Sequence, residues 1–453
     1  MLQRFKYSIV TLMKLGVFAL CWWVFFGLFG IRHFYLLNFS RTSGITWITF
    51  AVVYVLMSRV YGGYDIGKRK SKPIIFALSL TVFVTDLITH LFLCIMNTTV
   101  VHGGRFVYEQ PLLLLAVFVV QVAAIVVAAY LGNDLYFKIN RPMKCLVITG
   151  RGEDVESLLR RVGRFKKQYC VEEIVYADDP NILGHIDRHE GVFIYNLAPS
   201  ERTGLIDYCY ETKKDIYFSV EITDIVTMRG ERVLFDDKSM ICSPAKGLTF
   251  EQRIIKRAMD LFVASVGIIL TSPIMLVTAL CIKLEDGGHV FYEQERATYA
   301  GRVFKVIKFR SMREEGTVNR SVTKDDDRIT KVGHFIRKFR IDELPQLFNV
   351  IKSDMSIVGP RPEMLENVNR YTGELPEFAY RLRAKAGLTG MAQIYGKYNT
   401  SPKDKLILDL TYIEQYSIWL DIKLILRTIL VLLTPDESTE AFDKSGKEGK
   451  HGK

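Results

Sequence analysis

The sequence predicts a fold of the class membrane α plus α/β. Three features predict it: four apolar runs within the first 131 residues, short apolar strands that alternate with polar helical stretches from residue 143, and a fifth apolar run interrupted by a Ser-Pro pair. The chain has 453 residues, of which 49% are hydrophobic and 24% charged, with a net charge of +11. A mean hydropathy of +0.14 beside so many charges requires apolar and polar residues to lie in separate segments.

This composition excludes a disordered chain, which would be poor in apolar and aromatic residues. The seven cysteines are scattered without a C-x-x-C pair, which indicates reduced thiols in a cytosolic setting instead of a disulfide framework or a zinc site. The excess of Lys and Arg indicates an acidic partner, either a nucleic acid or a phosphate at a membrane surface.

Residues 1–136 are predicted to form four transmembrane helices. Crossing a bilayer takes about 20 residues; the third and fourth runs meet this length, the first is marginal and the second is short. Lys and Arg concentrate in the connector after the second run and in the segment after the fourth, which places both the N-terminus and the chain beyond Tyr136 in the cytoplasm. The four runs are Leu15–Ile31, Ile45–Met57, Ile74–Met96 and Pro111–Leu131.

Two ionisable residues, Asp86 and His90, lie one helical turn apart inside the third run. Ionisable groups in a membrane span often mark a functional site. Because no other charged residue accompanies them in the run, a hydrogen-bonded pair that faces the helix bundle is the favoured interpretation.

Residues 137–246 are predicted to form a Rossmann-like domain, because strands and helices alternate as in a parallel sheet. Gly150-Arg151-Gly152 follows the first strand, but the third glycine of a dinucleotide motif is missing, and Glu153 and Asp154 would repel a pyrophosphate. A degenerate domain for assembly or regulation is therefore favoured over a dinucleotide site. The predicted strands are Lys144–Thr149, Glu172–Tyr176, Val192–Leu197 and Asp215–Val220, and the predicted helices are Asp154–Phe165 and Glu201–Lys213.

The fifth apolar run, Leu261–Leu284, lies in a helical segment at about residues 254–284 and is long enough to cross a bilayer. Ser272-Pro273 falls near its middle, where proline removes a backbone hydrogen bond. Basic residues flank the run on both sides, which places both flanks in the cytoplasm. A helix-break-helix that enters and leaves the membrane on one face is favoured over a straight, kinked transmembrane helix, and Ser272 can satisfy the carbonyl that proline frees.

Three short clusters after this run carry candidate chemistry. Lys308 and Arg310 are alternate residues at the end of an apolar strand, so both can face one phosphate. Asp342 and Glu343 are adjacent acids in a basic setting that should keep both ionised, so one can attack phosphorus and the other can hold Mg²⁺. Arg361 lies between two prolines, and a guanidinium held in this way suits bidentate phosphate binding. Each cluster alone also fits a strand edge, a helix N-terminus or a stiff turn.

In their order and density these clusters resemble the bacterial sugar transferase family, the polyprenyl-phosphate phosphoglycosyl transferases with one re-entrant membrane helix. The resemblance is continuous over about residues 252–433, within a predicted domain of residues 247–435, and the N-terminal regions are similar to long-form members. It rests on Ser272-Pro273 and on five motifs: K-F-R-S-M at 308–312, D-D-D-R-I-T at 325–330, D-E-L-P-Q at 342–346, D-M-S-I-V-G-P-R-P at 354–362 and A-G-L-T-G-M-A-Q at 386–393.

The resemblance implies a membrane enzyme that transfers a sugar 1-phosphate from a nucleotide sugar, expected to be a UDP-sugar, to undecaprenyl phosphate. This reaction would be the first membrane step of exopolysaccharide, capsule or O-antigen synthesis. It implies that Asp342 forms a phosphosugar-aspartate intermediate and that Glu343 holds Mg²⁺. The residues it implies for phosphate or substrate binding are Lys308, Arg310, Arg361, Lys397 and Asp409.

The expected location is the bacterial inner (plasma) membrane, with several spans and the catalytic domain in the cytoplasm. Nucleic acid is then excluded as a partner, and a homodimer is compatible with the large middle domain. Three positions depart from the family pattern, since Thr298 stands where many members have glycine, and His289 and Ala386 stand where proline is usual. None touches the Asp-Glu pair, so they bear on substrate preference more than on activity.

Two other functions stay open. One is a membrane-anchored nucleotide-sugar epimerase or dehydratase that uses the Rossmann-like sheet, which the incomplete glycine motif disfavours. The other is a non-enzymatic membrane scaffold or a regulator of polysaccharide assembly. Near the C-terminus, residues 406–433 fit interfacial helices and core-packed amphipathic helices equally well, and the polar residues 436–453 are predicted to be disordered.

Overall fold

A computed structural model describes residues 6–100, 105–228, 230–243, 247–313, 328–396 and 400–433. The chain divides into two units, residues 1–219 and residues 220–453. Three parts of the predictions lie outside the described residues, namely Lys397, Asp325-Asp326-Asp327 and the tail at 436–453.

The first unit begins with four long helices, which agree with the four predicted runs. They are among the five helices of the described residues that are long and apolar enough to cross a membrane, so the protein is a membrane protein. The second helix reaches 21 residues because it starts before the apolar run, where the Ser40 side chain caps its N-terminus, and it ends at the left-handed Gly62. The four are α1 (Lys6–Arg32), α2 (Arg41–Tyr61), α3 (Ser71–Val100) and α4 (Pro111–Ile139).

Asp86 and His90 of α3 are both buried in the bundle, as predicted. The predicted pair between them does not form. Asp86 instead accepts a hydrogen bond of 3.2 Å from the Gln121 side chain of α4, and the Nε2 atom of His90 lies 3.5 Å from the Cys94 sulfur. The helix-bundle assignment follows from the apolar pattern, whereas the partner of each polar group depends on which helix faces it.

A four-stranded parallel sheet follows, with the strand order β2-β1-β3-β4. The predicted alternation is confirmed, and the structure adds the helix α6, which the sequence analysis did not include. On one face Leu146 and Ile148 of β1 pack with Leu205 and Cys209 of α7. The elements are β1 (Met143–Thr149), α5 (Val155–Val162), β2 (Tyr169–Tyr176), α6 (Ile182–Arg188), β3 (Gly191–Tyr195), α7 (Pro199–Glu211) and β4 (Asp215–Phe218).

The second unit starts earlier than the predicted domain boundary at residue 246. Its first elements are α8 (Ile222–Met228) and a hairpin of β5 (Glu231–Phe235) and β6 (Lys238–Cys242). Ile225 of α8 is buried in a cluster with Phe378, Leu406 and Leu410. This segment therefore belongs with the second unit and not with the Rossmann-like sheet.

The remainder of the second unit is an α/β domain built around one long helix, α9. Its main core packs Ala264 of α9 against Val306 and Leu347 and against the strand at Ile357 and Val358. The elements are α9 (Phe250–Asp286), β7 (Phe291–Ala297), β8 (Val303–Phe309), α10 (Lys331–Lys338), α11 (Gln346–Ile351), β9 (Ser356–Val358), α12 (Leu365–Glu374), β10 (Gly387–Thr389), α13 (Met391–Tyr395), α14 (Pro402–Glu414) and α15 (Ile418–Leu433).

The helix α9 is continuous over 37 residues, with Pro273 inside it. The structure therefore differs from the predicted helix-break-helix, since no interruption separates two helices. Pro273 has no N–H for the carbonyl four residues earlier, and the Ser272 hydroxyl donates to that Ile269 carbonyl at 2.9 Å. The predicted role of Ser272 is thus observed, and re-entry into the membrane stays a prediction.

The two C-terminal helices differ in how far they are packed into the domain cores. Leu406 and Tyr412 of α14 and Leu424 of α15 are buried in the domain cores, while Trp419 is 68% exposed. The helix α14 is therefore packed into the core on one face, and α15 combines a core contact with an exposed aromatic side chain.

Candidate active site

The two predicted catalytic acids lie on a short turn between α10 and α11. Arg340 adopts a left-handed backbone with φ of 54°, which ends α10, and Ile341–Glu343 form a single 3₁₀ turn. The residue that precedes α11 is Pro345, so Asp342 is not the N-cap of that helix. Asp342 therefore does not cap a helix, which was the alternative interpretation of this residue.

Glu343 is held by two cations from different parts of the domain. Its Oε1 atom accepts from the Lys308 ammonium of β8 at 3.0 Å and from the Arg361 guanidinium at 3.0 Å. The side chain of Glu343 is 15% exposed, whereas that of Arg361 is 42% exposed. The structure thus brings together three of the clusters that are separated in the sequence.

The two adjacent carboxylates have opposite pKa shifts. Burial opposes ionisation of Glu343, but Arg361 and Lys308 outweigh it and lower its pKa well below the ordinary value. Burial and the neighbouring Glu343 charge raise the pKa of Asp342 to about 6. The expectation that the basic setting keeps the acids ionised agrees with the lowered pKa of Glu343. Asp342 has no cation bonded to it within the described part of the chain, and its pKa of about 6 leaves it mostly ionised at neutral pH.

Arg361 is positioned by a tight crossing of two motifs. A β-carbon on Gly359 would lie 2.2 Å from the Lys385 carbonyl oxygen, and one on Gly387 would lie 2.0 Å from the Gly359 nitrogen. These contacts require glycine, since any side chain would collide with the backbone. They hold the G-P-R-P segment against the A-G-L-T-G segment, so that Arg361 projects from a rigid turn.

Asp409 is not in the cluster with Asp342, although it was predicted to bind substrate. It is 1% exposed and accepts from Arg381 at 2.7 Å. Arg381 in turn donates to the backbone carbonyl of Arg361 at 2.9 Å. Asp409 therefore positions Arg361 through Arg381, a role that the sequence does not reveal because the three residues come from separate segments.

Arg310 is not in the cluster with Asp342 either. The strand β8 ends at Phe309, so the alternation that would place Arg310 beside Lys308 no longer applies. Its guanidinium pairs with the Asp286 carboxylate at the end of α9, with one hydrogen bond of 2.7 Å, and it is 7% exposed. Arg310 is therefore left out of the phosphate-binding group proposed below.

Arg296 is a further residue of the site, and it was not predicted from the sequence. It lines the same cleft as Lys308, Arg361, Gln346 and Gln393. Burial and the neighbouring Arg361 lower the pKa of Arg296, which places a second guanidinium in a crowded cationic setting. In the sequence, the role of Arg296 could have been inferred only from its position in the Q-E-R segment, two residues before the unusual Thr298.

The helix α9 is tied to this site by two charged residues one turn apart. Lys256 donates to the Val358 carbonyl at 3.0 Å and pairs with Asp421 at 2.8 Å. Asp260 accepts from the Ile357 N–H at 2.9 Å. Since β9 leads directly into the turn at Arg361, both residues fix the long helix relative to the cationic cleft. In the sequence, this contact could have been inferred from the spacing of Lys256 and Asp260, which are four residues apart just before the fifth apolar run.

Asp342 and Glu343 are also the groups that could hold a metal ion. Among the residues that the structure describes, no group of three or more His, Cys, Asp or Glu side chains is placed to bind one. Mg²⁺ is commonly bound through one or two carboxylates together with substrate phosphates. Oε1 of Glu343 is engaged by two cations, so Oε2 and the Asp342 carboxylate are the available oxygens.

Comparison with known proteins identifies the second unit. A family model described as bacterial sugar transferase matches residues 251–435. A Caulobacter vibrioides protein named UDP-glucose:undecaprenyl-phosphate glucose-1-phosphate transferase is 40% identical over 190 residues, which are 40% of this chain and 71% of that protein. This chain belongs to the bacterial sugar transferase family.

Two further relatives differ in how much of their own length is matched. A Bacillus subtilis protein named uncharacterized sugar transferase EpsL is 39% identical over 183 residues, or 89% of its length. An Aeromonas hydrophila protein named UDP-N-acetylgalactosamine-undecaprenyl-phosphate N-acetylgalactosaminephosphotransferase is 43% identical over 185 residues, or 44% of its length. Each alignment covers 40% of this chain, so the similarity concerns one domain of the protein.

Proposed function

We propose that this sugar transferase moves a sugar 1-phosphate from a UDP-sugar to undecaprenyl phosphate, as the first membrane step of exopolysaccharide, capsule or O-antigen synthesis. The observation that carries the proposal is a half-buried Asp342 beside a Glu343 that is bonded to Lys308 and Arg361. The names of two relatives support the choice of substrates, since one is a UDP-glucose and the other a UDP-N-acetylgalactosamine transferase acting on undecaprenyl phosphate.

The reaction proceeds in two displacements at one phosphorus atom. An oxygen of Asp342 attacks the phosphorus that bears the sugar, and the phosphoanhydride bond breaks, with its electrons leaving on the nucleoside monophosphate. An oxygen of the lipid phosphate then attacks the same phosphorus, and the bond to Asp342 breaks, which restores the carboxylate. One phosphoanhydride is consumed and another is formed, so the transfer needs no ATP.

The cationic side chains around Asp342 supply what phosphoryl transfer requires. Such reactions depend on positioning and on neutralised phosphate oxygens more than on strong acid-base chemistry. Arg361 is 42% exposed and Lys308 21% exposed, so both can reach a substrate in the cleft. Glu343 holds the two cations next to Asp342, and Arg296 adds a third positive charge to the same cleft.

Mg²⁺ is part of the proposal. The two carboxylates fit an ion that arrives with the diphosphate, and Oε2 of Glu343 and the Asp342 carboxylate would hold it. When bound, Mg²⁺ would neutralise charge on the diphosphate oxygens. Chelation with EDTA should abolish transfer, and added Mg²⁺ should restore it; transfer that persists after chelation would remove the ion from the proposal.

The decisive assay uses membranes that contain the full-length protein, undecaprenyl phosphate, Mg²⁺ and a panel of labelled UDP-sugars. We expect label to enter the lipid fraction with at least one donor and to be absent with Asp342→Asn. Glu293→Gln is the matched control, because Glu293 lies in the same domain with a side chain that is 52% exposed. A folded wild-type protein that transfers no label from any donor would overturn the proposal.

The covalent intermediate has its own test. Without lipid acceptor, a labelled UDP-sugar should leave acid-stable label on the wild-type protein and release one nucleoside monophosphate per label. Asp342→Asn should show neither product. Nucleoside monophosphate released only when lipid is present would indicate a direct transfer without the aspartate intermediate.

We further propose that α9 re-enters the membrane from the cytoplasmic side, at the inner membrane of a bacterial cell. Contacts at both ends of the helix support this placement, since Lys256 and Asp260 bond to β9, and Asp286 pairs with Arg310 after β8. A straight helix of 37 residues is about 55 Å long, so the two ends of a spanning helix could not touch one domain on one side. The outer face is apolar and exposed, with Ile269, Leu270 and Leu276 each more than two-thirds exposed.

Cysteine labelling tests this topology. Glu251→Cys and His289→Cys, each in a background lacking other reactive cysteines, place a thiol at either end of α9. Both should react with a membrane-impermeant maleimide in inverted vesicles and neither in right-side-out vesicles. Reaction of the two cysteines from opposite sides would show a transmembrane helix.

A further inference from the structure

The interior of the four-helix bundle contains polar side chains that the proposed reaction does not use. Asp86 is 2% exposed, and Thr89, His90 and Gln121 are fully buried. A polar group in the interior of a membrane bundle is costly unless it is hydrogen-bonded. The hydrogen-bond partners of these side chains therefore decide whether the cluster has only a structural role.

Part of the cluster is satisfied by the protein. Oδ1 of Asp86 accepts from the Gln121 amide nitrogen, which also donates to the Cys21 carbonyl of α1 at 3.0 Å. Thr81 and Thr85 donate to carbonyls one turn earlier on α3, at 2.8 Å and 2.7 Å. These bonds join α1, α3 and α4 around one point.

Nδ1 of His90 has no hydrogen-bond partner within the described part of the chain. The same is true of three oxygen atoms of the cluster. They are Oδ2 of Asp86, Oγ1 of Thr89 and Oε1 of Gln121. Thr89 is one turn from Asp86 on the same helix, and Gln121 is bonded to Asp86, so the three atoms belong to one neighbourhood. Thr89 also lacks the bond to the preceding turn that Thr81 and Thr85 make.

Among the described residues, the surrounding helices provide no counter-ion bonded to Asp86. The titratable groups near it are the Cys21 thiol of α1, the His90 imidazole of α3 and, beside Cys21, the Tyr54 hydroxyl of α2. No Lys or Arg pairs with Asp86 in the described residues. A buried carboxylate therefore requires one positive charge from outside the protein.

We propose that the bundle encloses a binding site for one monovalent cation, a proton or an alkali metal ion, at Asp86, Thr89 and Gln121. The oxygen atoms at this site favour a monovalent ion. The Asp86 carboxylate carries one negative charge, and the oxygens of Thr89 and Gln121 are neutral, so the site balances a single positive charge. A divalent ion would leave an uncompensated charge in the bundle. The site is independent of the sugar-transfer reaction and lies in the other unit of the chain.

A second polar cluster offers a route to this site from the end of α3. Asn97 donates to Glu109 at 3.1 Å, and Glu109 pairs with His33 at 3.4 Å. The His90 ring lies 5.0 Å from the Tyr108 ring, next to Glu109. Asn97 and Asp86 are eleven residues apart on one helix, or about 16 Å, so His90 lies between the two clusters.

The test uses the full-length protein in lipid nanodiscs and dicyclohexylcarbodiimide, an apolar reagent that couples to protonated carboxyl groups. Peptide mass spectrometry measures modification at Asp86 between about pH 5 and 9, in choline, sodium or potassium chloride. Labelling that the salts do not alter identifies a proton. Labelling suppressed by sodium or potassium, with a thermal unfolding midpoint that these ions raise relative to choline, identifies an alkali ion.

Variants separate the site from a structural role. Asp86→Asn should abolish both the labelling and any salt effect. Thr89→Val removes one acceptor and should shift the labelling midpoint or the protective salt concentration several-fold, whereas Thr81→Val should change neither. No labelling at any pH together with no salt effect on unfolding would overturn the proposal, as would a Thr89→Val protein that behaves like the wild type.

Discussion

Asp342 and Glu343 are adjacent in the chain but have different environments. Glu343 receives two charged hydrogen bonds, while Asp342 is half-buried and next to the Glu343 charge. The result is one carboxylate whose pKa is lowered and another whose pKa is raised to about 6. These environments suit Asp342 as a poorly solvated nucleophile and Glu343 as the acid that holds Lys308 and Arg361 in place.

The pKa of about 6 for Asp342 predicts the pH dependence of the first step. Only the ionised carboxylate attacks phosphorus, so the rate should rise with pH through about 6 and level off above it. The measurement is nucleoside monophosphate release in a single turnover without lipid acceptor. Omitting the acceptor removes the titration of the lipid phosphate from the profile.

Lys308→Met should move that midpoint to higher pH, because the Lys308 cation lowers the pKa of Asp342. The rate at the plateau should also fall, since a phosphate-neutralising charge is lost. Lys305→Met is the control: Lys305 lies on the same strand but pairs with Glu293 at 3.6 Å. A midpoint that stays constant or decreases in Lys308→Met would contradict the assigned electrostatics.

Two positions that depart from the expected family pattern, residues 298 and 386, are joined by a hydrogen bond. Thr298 is 1% exposed, and its hydroxyl oxygen accepts from the Ala386 N–H at 3.0 Å. A proline at residue 386 would have no N–H to donate. With that proline, the glycine expected at residue 298 in many members would leave no backbone N–H without an acceptor. The structure therefore links the two positions through one hydrogen bond.

A double-mutant cycle tests this link. Thr298→Val should destabilise the protein by about 1–3 kcal/mol, because a buried N–H loses its acceptor. The same change should cost clearly less in an Ala386→Pro background, where that N–H is absent. The measurement is chemical unfolding of the purified protein followed by fluorescence. Equal costs in both backgrounds would show that the residues act independently.

Among the elements, α9 combines an apolar exposed face with charged contacts to the α/β domain near both of its ends. Lys256 and Asp260 anchor its first half, and Asp286 anchors its end. The basic residues before the apolar run were interpreted as a signal of membrane orientation. At Lys256 the structure adds a second role, which is to fix the helix on β9 beside the site.

The pair Ser272-Pro273 predicts a measurable exchange of hydrogen bonds within α9. Ser272→Ala should destabilise the protein by about 1 kcal/mol, because the Ile269 carbonyl loses its donor. In a Pro273→Ala background the restored N–H can bond to that carbonyl, so Ser272→Ala should then be nearly neutral. Thermal unfolding in one detergent provides the comparison, and a cost that is unchanged by Pro273→Ala would exclude this exchange.

At the scale of the whole molecule, the division of the chain at residue 219 assigns α8 and the following hairpin to the enzymatic unit. Ile225 fills a cluster with Phe378, Leu406 and Leu410. The Bacillus subtilis relative is matched over 89% of its length by a region that is 40% of this chain. The family match lies in the second unit alone, so we expect that unit to fold without the four-helix bundle.

Truncation tests both statements. A protein of residues 220–453 should retain transfer activity in membranes. A protein of residues 247–453 should unfold at a lower temperature, since removing Ile225 exposes the apolar surface of Phe378, Leu406 and Leu410. Equal midpoints for the two truncations would show that the 220–246 segment is dispensable for the fold.

The sequence alone determined the features that follow from local pattern. Run length predicted the four helices of the bundle, the alternation of strands and helices predicted the parallel sheet, and the order of short motifs predicted the family and the Asp342–Glu343 pair. These are properties of neighbouring residues, and periodicity and motif spacing record them directly.

Only the tertiary structure decided which distant groups meet. In the structure Arg310 pairs with Asp286, Asp409 pairs with Arg381, and α9 is continuous across Pro273. The surroundings of the two acids raise the pKa of Asp342 and lower that of Glu343. Hydrogen-bond partners, burial and the local field depend on residues that are tens of positions apart in the chain. A sequence pattern names the charged groups, but their separation in space determines which of them neutralise one another.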